Sequence, residues 1–338
     1  MINEDQAFKI LEACDERREA RRSFLRYSSS AALLSGATLL SACGGGGRGD
    51  GGASDPILIP GPSPTPTPTP GTGALGDADI LNFALNLEYL EAQFYSFAAF
   101  GTGLPDNILN GTGQRGQVTG GRQVPFTDQL VAQYAREIAT DERNHVVFLR
   151  AALGASAVAQ PTIDVGTGPN SAFSNAARAS GLIGAGASFD AYANDENFLL
   201  AAFIFEDVGV TAYKGAAPLI TSKTFLEAAA GILAAEAYHA SLIRTVLYGK
   251  GLQTPSLRTA TEQISGARDS LDDPSDKDQG VQKIGNMSNI VPVDGNGLAF
   301  SRSAGDVLNI VYLTAAAASQ GGFFPDGVNG TIRLSTAG

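Results

Sequence analysis

The sequence predicts an all-α fold: a four-helix bundle with a long crossover between its second and third helices, followed by a C-terminal extension with one further helix. Three observations predict it. Four long segments carry apolar residues at helical spacing. The connections within each pair of segments are set apart by Gly or Pro. The connection between the pairs, residues 155–194, spans about forty residues, the length needed to join two helices that point the same way.

The first helix covers 81–98 with a stripe of Leu81, Ala84, Tyr95 and Ala98, takes Asp77 or Asp79 as its cap and stops before Gly101. A long Gly-rich connection, 101–123, follows. The second starts near Thr127, just after Pro125, and ends at Gly154, with Val131, Tyr134, Ile138, His145, Leu149 and Ala152 on one face. The crossover is rich in Gly, Ala and Ser and carries a short helix around 172–180. The third helix covers 199–216, with Leu199, Ala202, Phe203, Tyr213 and Ala216 inward, and ends at Pro218. The fourth opens on Thr224-Phe225-Leu226-Glu227, a capping box, and turns Phe225, Ala229, Ile232, His239, Ile243 and Val246 inward. After Gly251 the chain becomes polar, with Asp and Ser dense over 265–279, and one more helix is expected over 303–319. Phe323-Phe324-Pro325 and Asn329-Gly330 read as a turn-rich end. The extension, 251–338, is expected to pack on the bundle, covering an apolar face or building a subunit contact.

The chain has two histidines, and both sit three residues after a glutamate: Glu142-Arg143-Asn144-His145 and Glu236-Ala237-Tyr238-His239. Positions three apart share a helical face, so each motif aims a carboxylate and an imidazole at one point. A carboxylate-bridged two-metal site in a bundle takes such a motif from two helices and a lone Glu from each of the other two. Glu88 and Glu206 supply the lone glutamates, each followed by a tyrosine seven residues on, Tyr95 and Tyr213. The order, Glu helix then Glu-x-x-His helix, occurs twice, a weak internal repeat. Four carboxylates in an apolar interior cost several kcal/mol each if uncompensated. Two divalent cations cancel them, and no Lys or Arg lies on the inward stripes to do so instead.

Glu91 shares the inward stripe with Glu88, and its counterpart in the repeat is Gly209. It can be a seventh ligand, an acceptor behind a histidine or a rim carboxylate guiding ions; a supporting role behind the ligands fits best. The offset of Tyr95 and Tyr213 lets each hydroxyl approach a ligand carboxylate across the core. Asp207 points about 100° away from Glu206 and reads as structural.

Taken together, Glu88…Tyr95, Glu142-x-x-His145, Glu206…Tyr213 and Glu236-x-x-His239 resemble the ferritin-like superfamily, with a ligand set closer to bacterioferritin and rubrerythrin than to animal ferritins. The segment from Ile80-Leu81-Asn82-Phe83 through Tyr95 and the tail from Val307 to Gly330 are similar to the branch named after plant desiccation-related proteins. The resemblance covers residues 77–335. It implies Glu88 and Glu206 as terminal ligands, Glu142 and Glu236 as bridging ligands, and His145 and His239 as one imidazole per metal. The sequence departs from rubrerythrins in having no Cys-x-x-Cys, hence no rubredoxin-type iron module. Met1 and Met287 are the only methionines and neither lies on a bundle helix, so no haem is expected. The long connection 101–123 counts against a cage-forming surface and iron storage.

Residues 1–43 read as an export signal. Arg21-Arg22-Ser23-Phe24-Leu25 resembles the twin-arginine motif, 31–42 is an apolar run too short to span a bilayer, and Leu40-Ser41-Ala42-Cys43 resembles a lipoprotein cleavage site. Cys43 then becomes the lipidated first residue, on the periplasmic or cell-surface face of a membrane. Residues 44–76 are a linker, Gly-rich and then, over 62–70, a Pro/Thr spacer of about 3.1 Å per residue in polyproline II form. The signal holds as many basic as acidic residues, so the net charge of -11 survives its removal. A chain this acidic, without a basic cluster after the signal, excludes nucleic acid as a partner and favours drawing in cations.

Nitrogen and carboxylate ligands suit iron first and manganese second, with open positions for dioxygen or hydrogen peroxide. The expected activity is ferroxidase or peroxide reduction in metal, oxidative or desiccation stress. A manganese-catalase-like enzyme and a non-catalytic protectant with a degenerate site are the alternatives. A homodimer stays open.

Overall fold

The structure is a computed structural model that describes residues 75–337; the expected signal, Cys43 and nearly all of the linker lie outside the described residues. Four long helices form the bundle: α1 (Asp77–Phe100), α2 (Gln129–Leu153), α4 (Asp195–Ala216) and α5 (Lys223–Gln253). The crossover holds the short α3 (Ala172–Ala179). Beyond the bundle come α6 (Pro255–Asp269) and α7 (Ala304–Tyr312).

The bundle's directions can be read from one contact at each end. The Asp77 carboxylate at the start of α1 accepts from the backbone N–H of Thr221 and Ser222, 2.8 Å each, at the start of α5. At the other end, Asp195 of α4 accepts from the Thr127 N–H at 3.0 Å, beside the start of α2. So α1 runs with α5 and α2 with α4, and the 155–194 segment must travel the bundle's length to return. Each carboxylate also lies at a helix N-terminus, where negative charge is favoured.

α1 and α4 are buried almost all round, whereas α2 and α5 keep an exposed outer face. That face carries Gln133, Arg136, Arg143 and Asn144 on α2, and on α5 Lys223 and Glu227 followed by small residues such as Ala230, Gly231, Ala234 and Ala237. α1 packs chiefly on α2, and α4 on α5, as two hairpins. Phe94 is the centre of an aromatic cluster, with Tyr95, Phe173, Tyr192, Phe198 and Phe205 at 5.0 to 5.7 Å between ring centroids.

Several helix ends differ from expectation. The α1 cap is Gly76, and Asp79 reaches back to accept its N–H at 2.9 Å, while Asp77 serves α5 instead. For α2 the cap is Asp128, accepting from Leu130 and Val131 N–H. The capping box at Thr224 does not form; Ser222 caps α5 two residues earlier, accepting from Phe225 N–H at 3.4 Å, because the Asp77 carboxylate fixes that turn. The 101–123 connection and the crossover pair as a two-stranded parallel ribbon, β1 (Val118–Gly120) with β2 (Ile163–Val165). Gly116 beside it lies so close to the crossover that a Cβ would fall 2.0 Å from Thr162 N.

The extension holds a second helix, α6, in the chain after Gly251 that was expected only to be polar, and its later helix is shorter than 303–319. α6 forms because Leu257, Ala260, Ile264 and Arg268 recur on one face and bury it. α7 stops where Leu313 enters the left-handed region at φ 57°. The tail then lies over the bundle: Phe323 and Phe324 are fully buried, with Phe323 at 4.9 Å from the Phe205 ring, and Asn329 exchanges two 2.9 Å hydrogen bonds with Asn86 of α1.

Arg244 of α5 was not anticipated as a buried cation. It is off the stripe that faces the histidines. Its guanidinium donates to Asp207 at 2.7 Å and to the carbonyls of Gln279, Gly280, Asn289 and Ile290 at 2.7 to 2.8 Å. Asp207 also accepts from Arg268 of α6 at 3.1 Å. Asp207 is therefore structural, and it pins the extension to the bundle through two arginines. Among the described residues no helix is long and apolar enough to cross a membrane.

Candidate metal centre

Midway along the bundle the four long helices turn Glu88, Glu142, Glu206 and Glu236 inward, all at 1 % exposure or less. Around His145, Nδ1 lies 3.2 Å from Glu88 Oε2, 3.4 Å from Glu142 Oε2 and 3.5 Å from Glu236 Oε1. Around His239, Nδ1 lies 3.0 Å from Glu142 Oε1 and 3.6 Å from Glu206 Oε2. The two clusters share Glu142, which turns one oxygen to each histidine, and the imidazole centroids stand 6.2 Å apart. Within each cluster one ligand atom per residue lies within 4.8 Å of every other.

The six residues singled out by spacing are thus brought together. Glu236 differs from its expected part: Oε1 reaches the His145 cluster, while Oε2 points toward Gly209. A Cβ on Gly209 would sit 2.6 Å from Glu236 Oε2 and 3.4 Å from Glu91 Oε1, so the glycine leaves room for both carboxylates. Glu91 is itself buried at 6 % exposure. Tyr95 donates to Glu206 Oε1 and Tyr213 to Glu88 Oε1, each tyrosine crossing to the other hairpin's glutamate.

One residue was missed. Asp141 Oδ2 lies 3.4 Å from His239 Nε2, the nitrogen that faces away from the glutamates. A carboxylate there fixes the tautomer that leaves Nδ1 free to bind. The sequence signal was its place on α2 one residue before Glu142, which carries no information about a residue on α5.

The electrostatics are those of a site short of positive charge. Burial pushes the Glu88 carboxyl up to about 8 despite His145 beside it. Burial raises Glu206 well above the usual range, and burial with Glu142 nearby raises Glu236. Glu91 is held high by burial and then by Glu236 and Glu142. Glu142 moves the other way: burial opposes its charge, but the two histidines outweigh it and hold the group far below normal. The histidines are pushed up, against burial, His145 by Glu88 and Glu142, and His239 by Asp141 and Glu142. Protons on these groups stand in for cations.

Whether ions fit is answered by the unpartnered atoms. Both oxygens of Glu142 and Glu236, Glu206 Oε2 and His239 Nδ1 are buried with no hydrogen-bond partner. Buried polar atoms are rarely left so, at about 1–3 kcal/mol each. All six are metal-ligand types on the inner surface of one site. The donors are imidazole nitrogen and carboxylate oxygen, a set that suits iron, manganese or zinc and offers no thiolate.

A helix bundle whose interior joins carboxylates and two imidazoles around shared space defines the class of two-metal carboxylate proteins. Residues 76–249 match the Ferritin-like domain family, about half of the chain, and the chain belongs to that family. It is similar to Desiccation-related protein PCC13-62 of Craterostigma plantagineum, 31% identical over 275 residues, covering 75% of this chain and 83% of the relative. It is also similar to Ferritin-like catalase Nec2 of Nesocodon mauritianus, 29% identical over 268 residues, covering 76% and 84% respectively. No solved structure gives a significant match.

Proposed function

We propose that the chain is a two-metal oxidoreductase that removes hydrogen peroxide, with iron or manganese held by Glu88, Glu142, His145, Glu206, Glu236 and His239. The observation that carries this reading is Glu142, fully buried and without a hydrogen-bond partner, with one oxygen toward each histidine. When bound, the ion pair supplies the two electrons that one peroxide takes up and another gives back, so that two peroxides become two waters and one dioxygen. The similarity to a protein named as a catalase supports this chemistry.

The chain's own residues prepare the site. Tyr95 and Tyr213 each occupy one oxygen of Glu206 and Glu88, leaving the second free to ligate. Asp141 orients His239. Burial, and then Glu236 and Glu142, raise Glu91, which favours a proton at its carboxyl beside Glu236 over a further negative charge. The surrounding apolar core excludes bulk water, which strengthens each of these contacts.

The same reading places the protein outside the cytoplasm, exported by the twin-arginine route and anchored through lipid on Cys43; Ser23-Phe24-Leu25 after Arg21-Arg22 and the small residues before Cys43 support it. Oxidation of Fe(II) is the second reading, supported by the net charge of -11, which favours cation capture. A protectant without catalysis is the third, supported by the name of the desiccation-related relative.

Protein reconstituted with Fe(II) or with Mn(II) is expected to hold about two ions per chain, the capacity of such a centre, and to evolve dioxygen from peroxide without added reductant. His145→Ala is expected to lose metal. Retention of neither ion, or an unchanged metal content in His145→Ala, would overturn the proposal. Dioxygen uptake on adding Fe(II), without peroxide disproportionation, would move it to the ferroxidase reading. Protection of a desiccated enzyme undiminished when all six ligands are replaced would favour the third.

A further inference from the structure

Two small apolar chambers lie between the surface and the flank of the centre. The outer, about 30 Å³, is lined by Ala176, Leu182, Ala267, Leu271 and Leu313 among others, all partly exposed, so it meets solvent between α3, α6 and α7. The inner, about 20 Å³, has walls that include Leu87, Val208, Val311 and Phe323 and ends on Glu91, Gly209 and Tyr213. Ile204 and Ile310 line both. Each chamber exceeds the roughly 10–15 Å³ that one water-sized molecule needs. The inner end touches the ligands: Tyr213 donates to Glu88, and the missing side chain at Gly209 exposes Glu236 Oε2.

We propose that these chambers are a passage for dioxygen between solvent and the carboxylate centre. Apart from Ser180 and Arg268 at the outer chamber and Glu91, Gly209 and Tyr213 at the inner end, the walls are Leu, Ile, Val, Ala and Phe, which offer no partner to a hydrated ion, and removing an ion from water costs several kcal/mol. Water and peroxide also lose hydrogen bonds there. Dioxygen, uncharged and apolar, loses almost nothing, and apolar cavities of this kind stay dry and take up gases such as xenon. The tail contributes to both chambers, through Ile310, Val311, Leu313 and Phe323. Leu313 is the one residue other than glycine at positive φ among the described residues, a costly backbone state that persists where neighbours fix it. Its N–H donates to the Ile310 carbonyl at 3.1 Å, which sets both residues at the passage. The meaning of the passage rests on the proposed function: dioxygen leaves by it in peroxide removal and enters by it in iron oxidation.

The test uses the full chain. Xenon, as the probe, pressed into crystals of the metal-free protein is expected to occupy both chambers on either side of Ile204 and Ile310. Ala267→Phe, at the partly exposed rim and verified as folded by its melting temperature, is expected to abolish the outer xenon site. In the metal-loaded protein the same change is expected to slow dioxygen release or uptake several-fold with metal content unchanged. No xenon in either chamber, or xenon bound but dioxygen rates untouched in Ala267→Phe, would overturn the passage while leaving the metal centre standing. Xenon bound in a protein that retains no metal would instead defeat the proposed function and leave a gas-binding cavity.

Discussion

The two hairpins of the bundle, α1 with α2 and α4 with α5, carry the same ligand plan yet surround their histidines differently. In the first, His145 faces three ligand carboxylates, and the place behind it that would match Asp141 is Ala235 in the repeat, without a polar side chain. In the second, His239 faces two ligand carboxylates and is braced from behind by Asp141. Glu91 on α1 matches Gly209 on α4, and the empty space at the glycine is what admits the extra carboxyl. A repeat can therefore supply a symmetric set of donors while its departures make the two halves unequal. The His145 half gains negative charge, and the His239 half gains rigidity.

The largest test of this difference is Glu142→Ala. Because that residue alone serves both clusters, both ions are expected to be lost, whereas Glu236→Ala should lose the ion at His145 and retain the one at His239. Metal analysis of the folded variants decides; equal losses in the two would show that the halves are not distinct.

A second test concerns charge in the metal-free protein. Glu88 titrates near 4.5 when unfolded and at about 8 when folded, so its contribution to stability is complete below 4.5 and disappears as pH rises through 8. The raised histidines act with the same sign, since the folded state holds their protons to higher pH. The melting temperature of the metal-free protein is expected to fall by at least a few degrees across this window, on a scale of about 2–4 °C per kcal/mol. Glu88→Gln should flatten the fall. Thermal melts with chelator present give the answer, and a melting temperature that climbs with pH would contradict it.

The smallest effect is expected at Asp141. Replacing a carboxylate that orients a ligating histidine costs about 10–100-fold in affinity. Asp141→Asn should therefore weaken one of two binding steps in a metal titration, leaving the other at its original strength. Weakening of both steps alike would show that the brace is not confined to the His239 half.

The bundle and its donors were legible in the sequence because both depend on short-range spacing. Glu142 and His145 share a face whatever surrounds them, and Glu88 and Tyr95 are fixed seven residues apart on one helix. The failures were all of another kind. Ser222 rather than Thr224 caps α5 because Asp77, far away in the chain, holds that turn. α6 was hidden by a polar composition whose few apolar residues matter only because the bundle offers them a face.

What the sequence determined by itself is therefore the helices, their order and the identity of the six inward donors, since helical periodicity is a local property of the chain. Tertiary structure alone decided that Asp141 stands behind His239, that Gly209 opens beside Glu91, that Arg244 gathers four carbonyls of the extension, and that Ile204 and Ile310 border one passage. Each of those joins residues from different elements, and their meeting depends on packing and burial, which no spacing along a single helix encodes.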